Sequence, residues 1–288
     1  MGDPVTAIRI ATLNPANYFN LRTAGAIAPG KRADLVILND LETVAIDQVY
    51  AGGRLAAEAG TVAADLTWPE IVAAPPSMHI DPESIDLRLK AEGPRVRVIE
   101  IVRNQIITTA GVARAAIHKG LAVSDPTRDL LKIAVIERHR GTGRTGIGFV
   151  RGMGIAKGAL ASSVAHDAHN IVVVGADDND MLTAVGKVVE MGGGLTAAAE
   201  GRILASLALP IAGLMSPRPI DAINNRMRAL LAAARRLGAS LPDPFMTLSF
   251  LALPVIPSLK ITDHGLVDVD RFAVVPLFDP ATDDDING

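Results

Sequence analysis

The stretch GALASSVAHDAHNIVVVGAD, Gly158 to Asp177, decides the fold of the larger part of this chain. It contains two runs, GALASSV and IVVVGAD, that are typical of buried strands. Between them lies a polar segment with two histidines, an aspartate and an asparagine. The stretch therefore predicts two strands whose polar connection lies at the strand ends, where rigid elements commonly present functional side chains.

Working outward from this stretch, similar patterns predict more strands and two long helices. The predicted strands are Val96 to Val102, Leu131 to Glu137, Ile171 to Val174, and the pair Leu195 to Ala198 and Arg202 to Leu207, which turns at Glu200-Gly201. The predicted helices run from Asp180 to Met191 and from Pro219 to Leu237, and the apolar run FMTLSFLALPVIPSL is predicted to form core strands. Hairpins of this kind favour an α+β domain with a mixed or antiparallel sheet and flanking helices.

The N-terminal part predicts a smaller β unit preceded by one helix. Asp3 and Pro4 are suited to begin that helix, Leu35 to Leu38 predicts a short buried strand, and a second strand at Val49 to Tyr50 turns at Gly52-Gly53. A Pro-rich stretch from about Asp65 to Pro94 is typical of a linker or a wrapping segment. We therefore predict two domains, 1–75 and 76–288.

Composition and charge exclude several classes of function. The 288 residues are 49% hydrophobic and 20% charged, with a formal net charge of −3 and no cysteine. Without a basic cluster we expect neither a nucleic-acid partner nor an anionic membrane surface, and the acidic tail DPATDDDING is expected to be solvated. No apolar run reaches the roughly 18–20 residues of a membrane span, and the N-terminus lacks the order of a signal peptide, so we expect a cytoplasmic protein.

The sequence GTGRTG, Gly141 to Gly146, satisfies the G-x-G-x-x-G pattern of dinucleotide-binding proteins. That fingerprint needs a helix immediately after it, but the residues that follow are IGFVRGMGIAKG. Each glycine there would cost a helix about 1 kcal/mol. We therefore predict a glycine-rich hairpin and loop, not a phosphate site.

The polar segment SSVAHDAHN admits three interpretations: a ligand-facing site, a structural turn and a metal site. His166 and His169 would share a face of a helix and could bind one metal ion, but in an extended turn they would diverge. Asp167 could orient an imidazole or accept a hydrogen bond from an amino group. We predict no metal ligand, because the spacing of the other histidines suggests no third ligand.

Longer matches show a resemblance to a known family. The runs AIRIATLNPANYF, GAIAPGKRADLVILNDLE and VYAGGRL resemble the last barrel helix and the β-sandwich strands of the amidohydrolase superfamily. The run from Gly146 to Met181, together with VVEMGGG, LPIAGLMS and PFMTLSFLALPVIPSLKITDHGLVDV, resembles the C-terminal domain of bacterial adenine deaminases.

The resemblance implies an enzyme that hydrolyses adenine to hypoxanthine and ammonia at a centre of two manganese or iron ions. Family members hold these ions with barrel residues that begin with a His-x-His pair, and no such pair occurs here. We therefore expect this chain to be a portion of such an enzyme that lacks the metal-binding barrel, binds no metal and is inactive alone.

In the intact enzyme we expect His166, Asp167 and His169 to contribute to the active site and Ser162, Ser163 and Asn170 to bind adenine, because imidazoles and a carboxylate complement a purine. An apolar face left without the barrel would favour a homo-oligomer. Two alternatives stay open: a non-catalytic purine-binding or assembly module, and a self-contained metal hydrolase that uses His166 and His169.

Overall fold

The computed structural model describes residues 3–63 and 75–279, which fall in two compact units, 1–71 and 72–288. Part of the predicted linker, 64–74, and most of the acidic tail, 280–288, lie outside the described residues. The elements of the first unit are α1 (Pro4–Ala11), α2 (Leu13–Tyr18), β1 (Leu35–Asp40), β2 (Ala45–Ala51), β3 (Arg54–Glu58) and β4 (Thr61–Val62).

The first unit is a pair of short helices and an antiparallel sheet in the order β1-β2-β3-β4. Asp3 caps α1 by accepting from the backbone N–H groups of Val5 and Thr6, as predicted. The single predicted helix is wrong, because the helix breaks at Thr12, three residues before Pro15. Proline has no N–H to donate, and its ring clashes with the carbonyl four residues back.

The predicted burial of the strand Leu35 to Leu38 is also wrong. Val36 is 56% exposed and Ile37 is 44% exposed, since no second layer within this unit covers them. Among the described residues of the unit, Ala16 is the only buried hydrophobic side chain. The first unit therefore has a marginal core, as small units commonly do.

The second unit is built on an eight-stranded sheet. Its elements are β5 (Arg95–Ile101), β6 (Thr108–Arg114), β7 (Ala116–His118), β8 (Leu121–Val123), β9 (Leu131–Ile136), β10 (Thr145–Arg151), β11 (Ala159–Ser162), β12 (Ile171–Gly175), α3 (Asp178–Glu190), β13 (Gly194–Ala199), β14 (Arg202–Ala208), α4 (Ile220–Arg236), α5 (Pro244–Leu251), β15 (Leu259–Thr262), β16 (Gly265–Asp268) and β17 (Ala273–Val275).

The strand order is β14-β13-β11-β12-β9-β10-β5-β6. The pair β10 and β5 is parallel and the other neighbours are antiparallel, so the sheet is mixed, and the α+β prediction is confirmed. All six residues of β9 are buried. A strand covered on both faces has an almost continuous apolar sequence, which explains the run LKIAVI apart from Lys132.

Each face of the sheet has its own core. On one face, α3 packs with Met181, Ala184 and Val185, and the described part of the Pro-rich segment adds Ile85 and Leu87. The predicted wrapping role of that segment is thus confirmed for its described part. On the other face lie α4, α5 and the strands β15 and β16.

An ion pair with a buried ammonium group links the sheet to the first of these layers. Lys132, in β9, has a side chain that is 1% exposed, and its Nζ lies 2.7 and 2.8 Å from the two carboxylate oxygens of Asp178 in the first turn of α3. The same Nζ donates to the carbonyl of Leu87. One ammonium thus ties a strand, a helix and the wrapping segment together, and the helix dipole also favours Asp178 at this position.

The predicted core strands in FMTLSFLALPVIPSL are wrong for the first half of that run, which forms α5. Asp243 caps this helix by accepting from the N–H of Met246, and Pro244 occupies its first turn. The helix is apolar on all sides, so it shows no 3.6-residue periodicity that could distinguish it from a strand. Only the end of the run, Leu259 onward, is a strand.

The GTGRTG run is a hairpin connection between β9 and β10, as predicted. Its last glycine, Gly146, lies in β10, where β15 and β16 cross closely. A Cβ at this position would lie 2.0 Å from the carbonyl oxygen of Thr262 and 2.7 Å from the backbone nitrogen of Gly265. Gly146 therefore allows the β15–β16 turn to approach the sheet.

The substitution Gly146→Ala is expected to destabilise the protein by about 2 kcal/mol, because the added methyl group meets backbone atoms that cannot move aside. Gly186→Ala in α3 is the matched control. A Cβ there has no atom within 4 Å, and the change should stabilise by up to about 1 kcal/mol. Urea unfolding measures the free energy of unfolding of both variants. A change of the same sign in the two variants would contradict the inference that Gly146 is needed for the close approach.

Candidate functional site

Two polar loops lie at the same end of the large sheet. Ile136, the last residue of β9, is paired with Thr145 at the start of β10 and with Ile171 at the start of β12. The β9–β10 loop, 137–144, and the β11–β12 loop, 163–170, must therefore start from adjacent strand ends. The sequence predicted one of these loops as a site, and the register brings the second loop beside it.

The two serines before the histidines are fully buried. The Ser162 hydroxyl donates to the carbonyl of Val164 and accepts from its N–H. The Ser163 hydroxyl donates to the carbonyl of Gly213 at 2.6 Å and accepts from the N–H of Gly194 at 2.8 Å. Both hydroxyls hold main-chain segments together in this conformation, and their predicted role in adenine binding stays a prediction.

Arg138 anchors the β11–β12 loop from the neighbouring strand end. Its side chain is buried, and it donates to the carbonyls of His169 at 2.5 Å, Ser77 at 2.7 Å and Ala212 at 2.9 Å. Burial lowers the pKa of Arg138, while the charge of Glu137 raises it. A planar guanidinium with five N–H donors suits this arrangement of three separate acceptors.

Glu137 shapes the β9–β10 loop. Its carboxylate accepts from the backbone N–H groups of His139, Arg140 and Thr142 and from the Thr142 hydroxyl. Burial by itself raises the pKa of Glu137, but these hydrogen bonds outweigh it and hold the pKa at about 2. The carboxylate therefore stays ionised and serves as the loop's internal acceptor.

The three predicted catalytic residues lie together in the β11–β12 loop, which is a turn and not a helix. The ring centroids of His166 and His169 are 5.7 Å apart, and the His166 ring packs against Phe250 of α5 at 4.7 Å. Asp167 is exposed. Among the described residues, no hydrogen bond engages the His166 ring nitrogens or the Asp167 carboxylate, so these groups can bond to a ligand.

His169 has a defined tautomer when neutral. Its Nδ1 accepts from the backbone N–H of Ala165 at 3.3 Å, which leaves the proton on Nε2. Burial lowers the pKa of His169, and the positive charges of His166, when protonated, and Arg138 lower it further, whereas Asp167 raises it. At neutral pH this imidazole is uncharged and presents one N–H donor.

Asn170 joins the loop to the β15–β16 turn. It is buried, and its Nδ2 donates to Asp263 Oδ1 at 3.2 Å, while Arg144 Nε donates to Asp263 Oδ2 at 2.9 Å. The Asn170 side-chain oxygen is buried without a hydrogen-bond partner. Such an unsatisfied acceptor is uncommon in native proteins, because it costs about 1–3 kcal/mol.

The sequence therefore located the histidine loop but missed the residues that surround it. Arg138 and Asp263 contact the histidine loop only after folding, whereas Glu137 bonds within its own loop. A charged pair directly after an apolar strand was the one signal that could have suggested Glu137 and Arg138. Within the described ranges, no three His, Cys, Asp or Glu side chains come close enough to hold a metal ion. No helix in the described part of the chain has both the length and the apolar character to cross a membrane.

Comparison with protein families gives two matches. Residues 105–273 match the model of the adenine deaminase C-terminal domain, which includes both loops and the β15–β16 turn. Residues 1–56 match the model of the amidohydrolase family.

Curated relatives agree with these matches. The chain is 52% identical to an adenine deaminase of Desulfatibacillum aliphaticivorans over 96% of its own length and 49% of the relative. It is 48% identical to the adenine deaminase of Oleidesulfovibrio alaskensis and 46% identical to that of Methanothrix thermoacetophila, in each case over 96% of this chain and 48% of the relative. The chain thus spans about half the length of the curated relatives it matches.

Replacing Glu137 by glutamine should destabilise the protein by about 2 kcal/mol at neutral pH, because an amide replaces a charged acceptor of four hydrogen bonds. The folded pKa, about 2, lies below the ordinary value of 4.5, so this stabilisation is complete above pH 4.5 and is lost as the pH falls toward 2. Urea unfolding at several pH values measures the difference from the wild type. Glu200→Gln, on an exposed turn, is the control, and a pH-independent difference would contradict the argument.

The substitution Arg138→Met should lower the free energy of unfolding by about 3 kcal/mol, because three carbonyls lose their hydrogen-bond donor. Arg140→Met, two residues along and exposed, should change the free energy of unfolding by less than about 0.5 kcal/mol. Hydrogen exchange of the 163–170 amides should also become faster in the Arg138 variant alone. Equal exchange in both variants would show that Arg138 does not hold the loop.

Proposed function

The chain belongs to the family of the adenine deaminase C-terminal domain, and from this we propose that it is a portion of an enzyme that hydrolyses adenine to hypoxanthine and ammonia. The observation that carries the proposal is the match over 105–273, which includes the polar loop with free imidazole and carboxylate groups. In the reaction, water supplies the oxygen that replaces the 6-amino group, and that group leaves as ammonia.

We propose a role for each polar residue of the loop. Asp167 accepts a hydrogen bond from a purine amino or ring N–H group, and His169 donates from Nε2 to a ring nitrogen. His166, packed on Phe250, is placed to transfer a proton to the departing ammonia. These roles follow from the hydrogen-bonding capacity of each group, since imidazole and carboxylate are the side chains best suited to proton transfer near neutral pH.

Asn170, Ser162 and Ser163 complete the proposed substrate site. Asn170 offers an amide, Ser162 bonds to the main chain of Val164 within the loop, and Ser163 links the loop to Gly194 and Gly213. Their contribution to adenine binding would then be to fix the position of the histidines.

The longer enzyme is proposed to hold a centre of two manganese or iron ions, as the resemblance to the amidohydrolase family implies, and such a centre would supply an activated water. The described residues of this chain do not fit such a centre, since no three suitable ligands converge among them. The sequence also contains no His-x-His pair. For this chain alone we therefore propose no turnover.

A homo-oligomer and a cytoplasmic location are also proposed. Exposed apolar side chains of the first unit, such as Tyr18 and Ile27, favour self-association in this chain. The net charge of −3 and the absence of a basic cluster favour a small-molecule ligand over nucleic acid or an anionic membrane.

The test is ammonia release from adenine, with Mn²⁺ or Fe²⁺ supplied, by this chain and by the adenine deaminase of Desulfatibacillum aliphaticivorans. Only the longer enzyme is expected to turn over. In that enzyme, changes equivalent to Asp167→Asn or His166→Gln should lower kcat/KM by about a hundredfold. A change equivalent to His118→Gln, on the exposed β7 strand, is the control and should have no effect.

Two results would overturn parts of this proposal. Turnover by this chain alone would show that it holds a complete centre. Unchanged kcat/KM in both loop variants of the longer enzyme would show that the polar loop has only a structural role. That result would favour the alternative that this chain is a non-catalytic binding or assembly module.

A further inference from the structure

Lys260, in β15, is a buried lysine that forms no ion pair with a carboxylate among the described residues. It is 0% exposed, and its Nζ donates to the carbonyl of Ile106 at 2.9 Å and to the carbonyl of Phe250 at 3.2 Å. Burial lowers the pKa of Lys260 to about 8, so the group is mainly charged at neutral pH. A buried charge without an opposite charge is costly, and an apolar side chain would avoid that cost. The presence of a lysine here is therefore explained by what its two hydrogen bonds hold together.

The bond to Phe250 holds the C-terminal end of α5. The last carbonyls of a helix have no partner within it, and the helix dipole favours a positive charge beside them. Two of these carbonyls accept from outside α5: that of Ser249 from the backbone N–H of His166 at 3.1 Å, and that of Phe250 from Lys260. The Phe250 ring also packs on the His166 ring, with the ring centroids 4.7 Å apart. The last turn of α5 thus bonds to Lys260 and supports both the backbone and the ring of His166.

The bond to Ile106 connects Lys260 to the edge of the large sheet. Ile106 lies in the β5–β6 connection, two residues before Thr108, which begins the edge strand β6. The Thr108 hydroxyl donates to the carbonyl of Leu259 at 2.7 Å, and the Thr108 backbone N–H donates to the carbonyl of Pro257 at 3.0 Å. The start of β15 is therefore bonded to the sheet edge immediately before Lys260.

Packing alone does not fix the end of α5, because a cavity of about 230 Å³ lies beside it. Met246 and Phe250 of α5 line this cavity, as does Ile106 of the β5–β6 connection. Protein interiors are normally close-packed, and side chains next to empty space lose contacts that would hold them in place. Lys260 bonds to Ile106 and to Phe250, one residue from each wall, and so restricts the movement of α5 toward the cavity.

We propose that Lys260 is a positioning residue for His166, an inference that rests on the proposed function, in which His166 transfers a proton to the departing ammonia. The ammonium group fixes the end of α5 relative to the sheet edge, and that end fixes the backbone and the ring of His166. Proton transfer requires a donor within hydrogen-bond reach and in the correct orientation. Loss of the Lys260 bonds therefore lowers the rate of the chemical step more than it weakens substrate binding.

The first experiment is NMR of the intact 288-residue chain with the substitution Lys260→Met, which removes the ammonium group and keeps a long unbranched side chain. Hydrogen exchange of the His166 amide should become faster by about tenfold or more, as the loss of hydrogen bonds from a charged donor predicts. The His166 ring protons should also lose the chemical-shift effect of the neighbouring Phe250 ring.

Lys132→Met is the matched control. Lys132 is also a buried lysine, but it bonds to Asp178 of α3 and to Leu87, which lie on the opposite face of the sheet from α5. Urea unfolding measures the overall loss of stability in each variant, since global unfolding speeds the exchange of all amides. Only in the Lys260 variant should the His166 amide accelerate more than the amides of β12, and only there should the His166 ring signals change.

Thr108→Val tests the same connection while Lys260 stays in place, and it replaces the first variant if Lys260→Met does not fold. It removes the hydroxyl bond to Leu259 and should speed exchange of the His166 amide several-fold. Unchanged exchange and unchanged ring signals of His166 in the folded Lys260 variant would overturn the proposal. Where that variant does not fold, unchanged values in the Thr108 variant would overturn it.

The longer enzyme gives the kinetic measurement. A change equivalent to Lys260→Met should lower kcat about tenfold with little change in KM, whereas a change equivalent to Lys132→Met should leave both near the wild-type values. A raised KM with unchanged kcat in the Lys260 variant would contradict a positioning role in the chemical step.

The proposed function fails separately. Unchanged kcat/KM in the His166 variant of the longer enzyme would remove the catalytic role of His166. The exchange and ring signals of this chain would still decide whether Lys260 holds His166 in position.

Discussion

The hydrogen bonds from the buried guanidinium of Arg138 to three main-chain carbonyls are the interaction on which the polar end of the sheet depends. The carbonyls belong to Ser77, His169 and Ala212, which are far apart in sequence. Arg138 itself is buried, so a guanidinium without these three acceptors would be costly. A single side chain thus bonds to carbonyls of three chain segments and fixes the relative positions of those segments.

Around this anchor, the polar residues divide into two sets by their hydrogen bonding. Glu137, Ser162 and Ser163 are buried and bonded mainly to the main chain. Asp167 and the His166 ring have no such bonds among the described residues. The bonded groups stabilise the loop, and the groups without bonds remain available to form hydrogen bonds with a ligand. A short loop can hold both because buried supports keep its exposed side chains in place.

The two units differ in how much core they have. The second unit buries two layers of apolar side chains on the sheet, whereas the first has one buried hydrophobic residue among its described residues. Large apolar side chains on the first unit, such as Ile27 at 88% exposure, therefore lie at its surface.

The sequence by itself determined the two long helices, the β9–β10 connection, the polar loop with His166, Asp167 and His169, and the strands of the large sheet other than β6 and β10. These features are local, because periodicity, glycine positions and capping residues act within a few residues of chain. It failed at α5, where a predominantly apolar helix has no 3.6-residue periodicity, and at β1, where Val36 and Ile37 lie at the surface. Only the tertiary structure decided that Arg138 and Asp263 lie beside the loop. Their contacts depend on strand register and on close packing at Gly146, and these bring together residues that no local pattern connects.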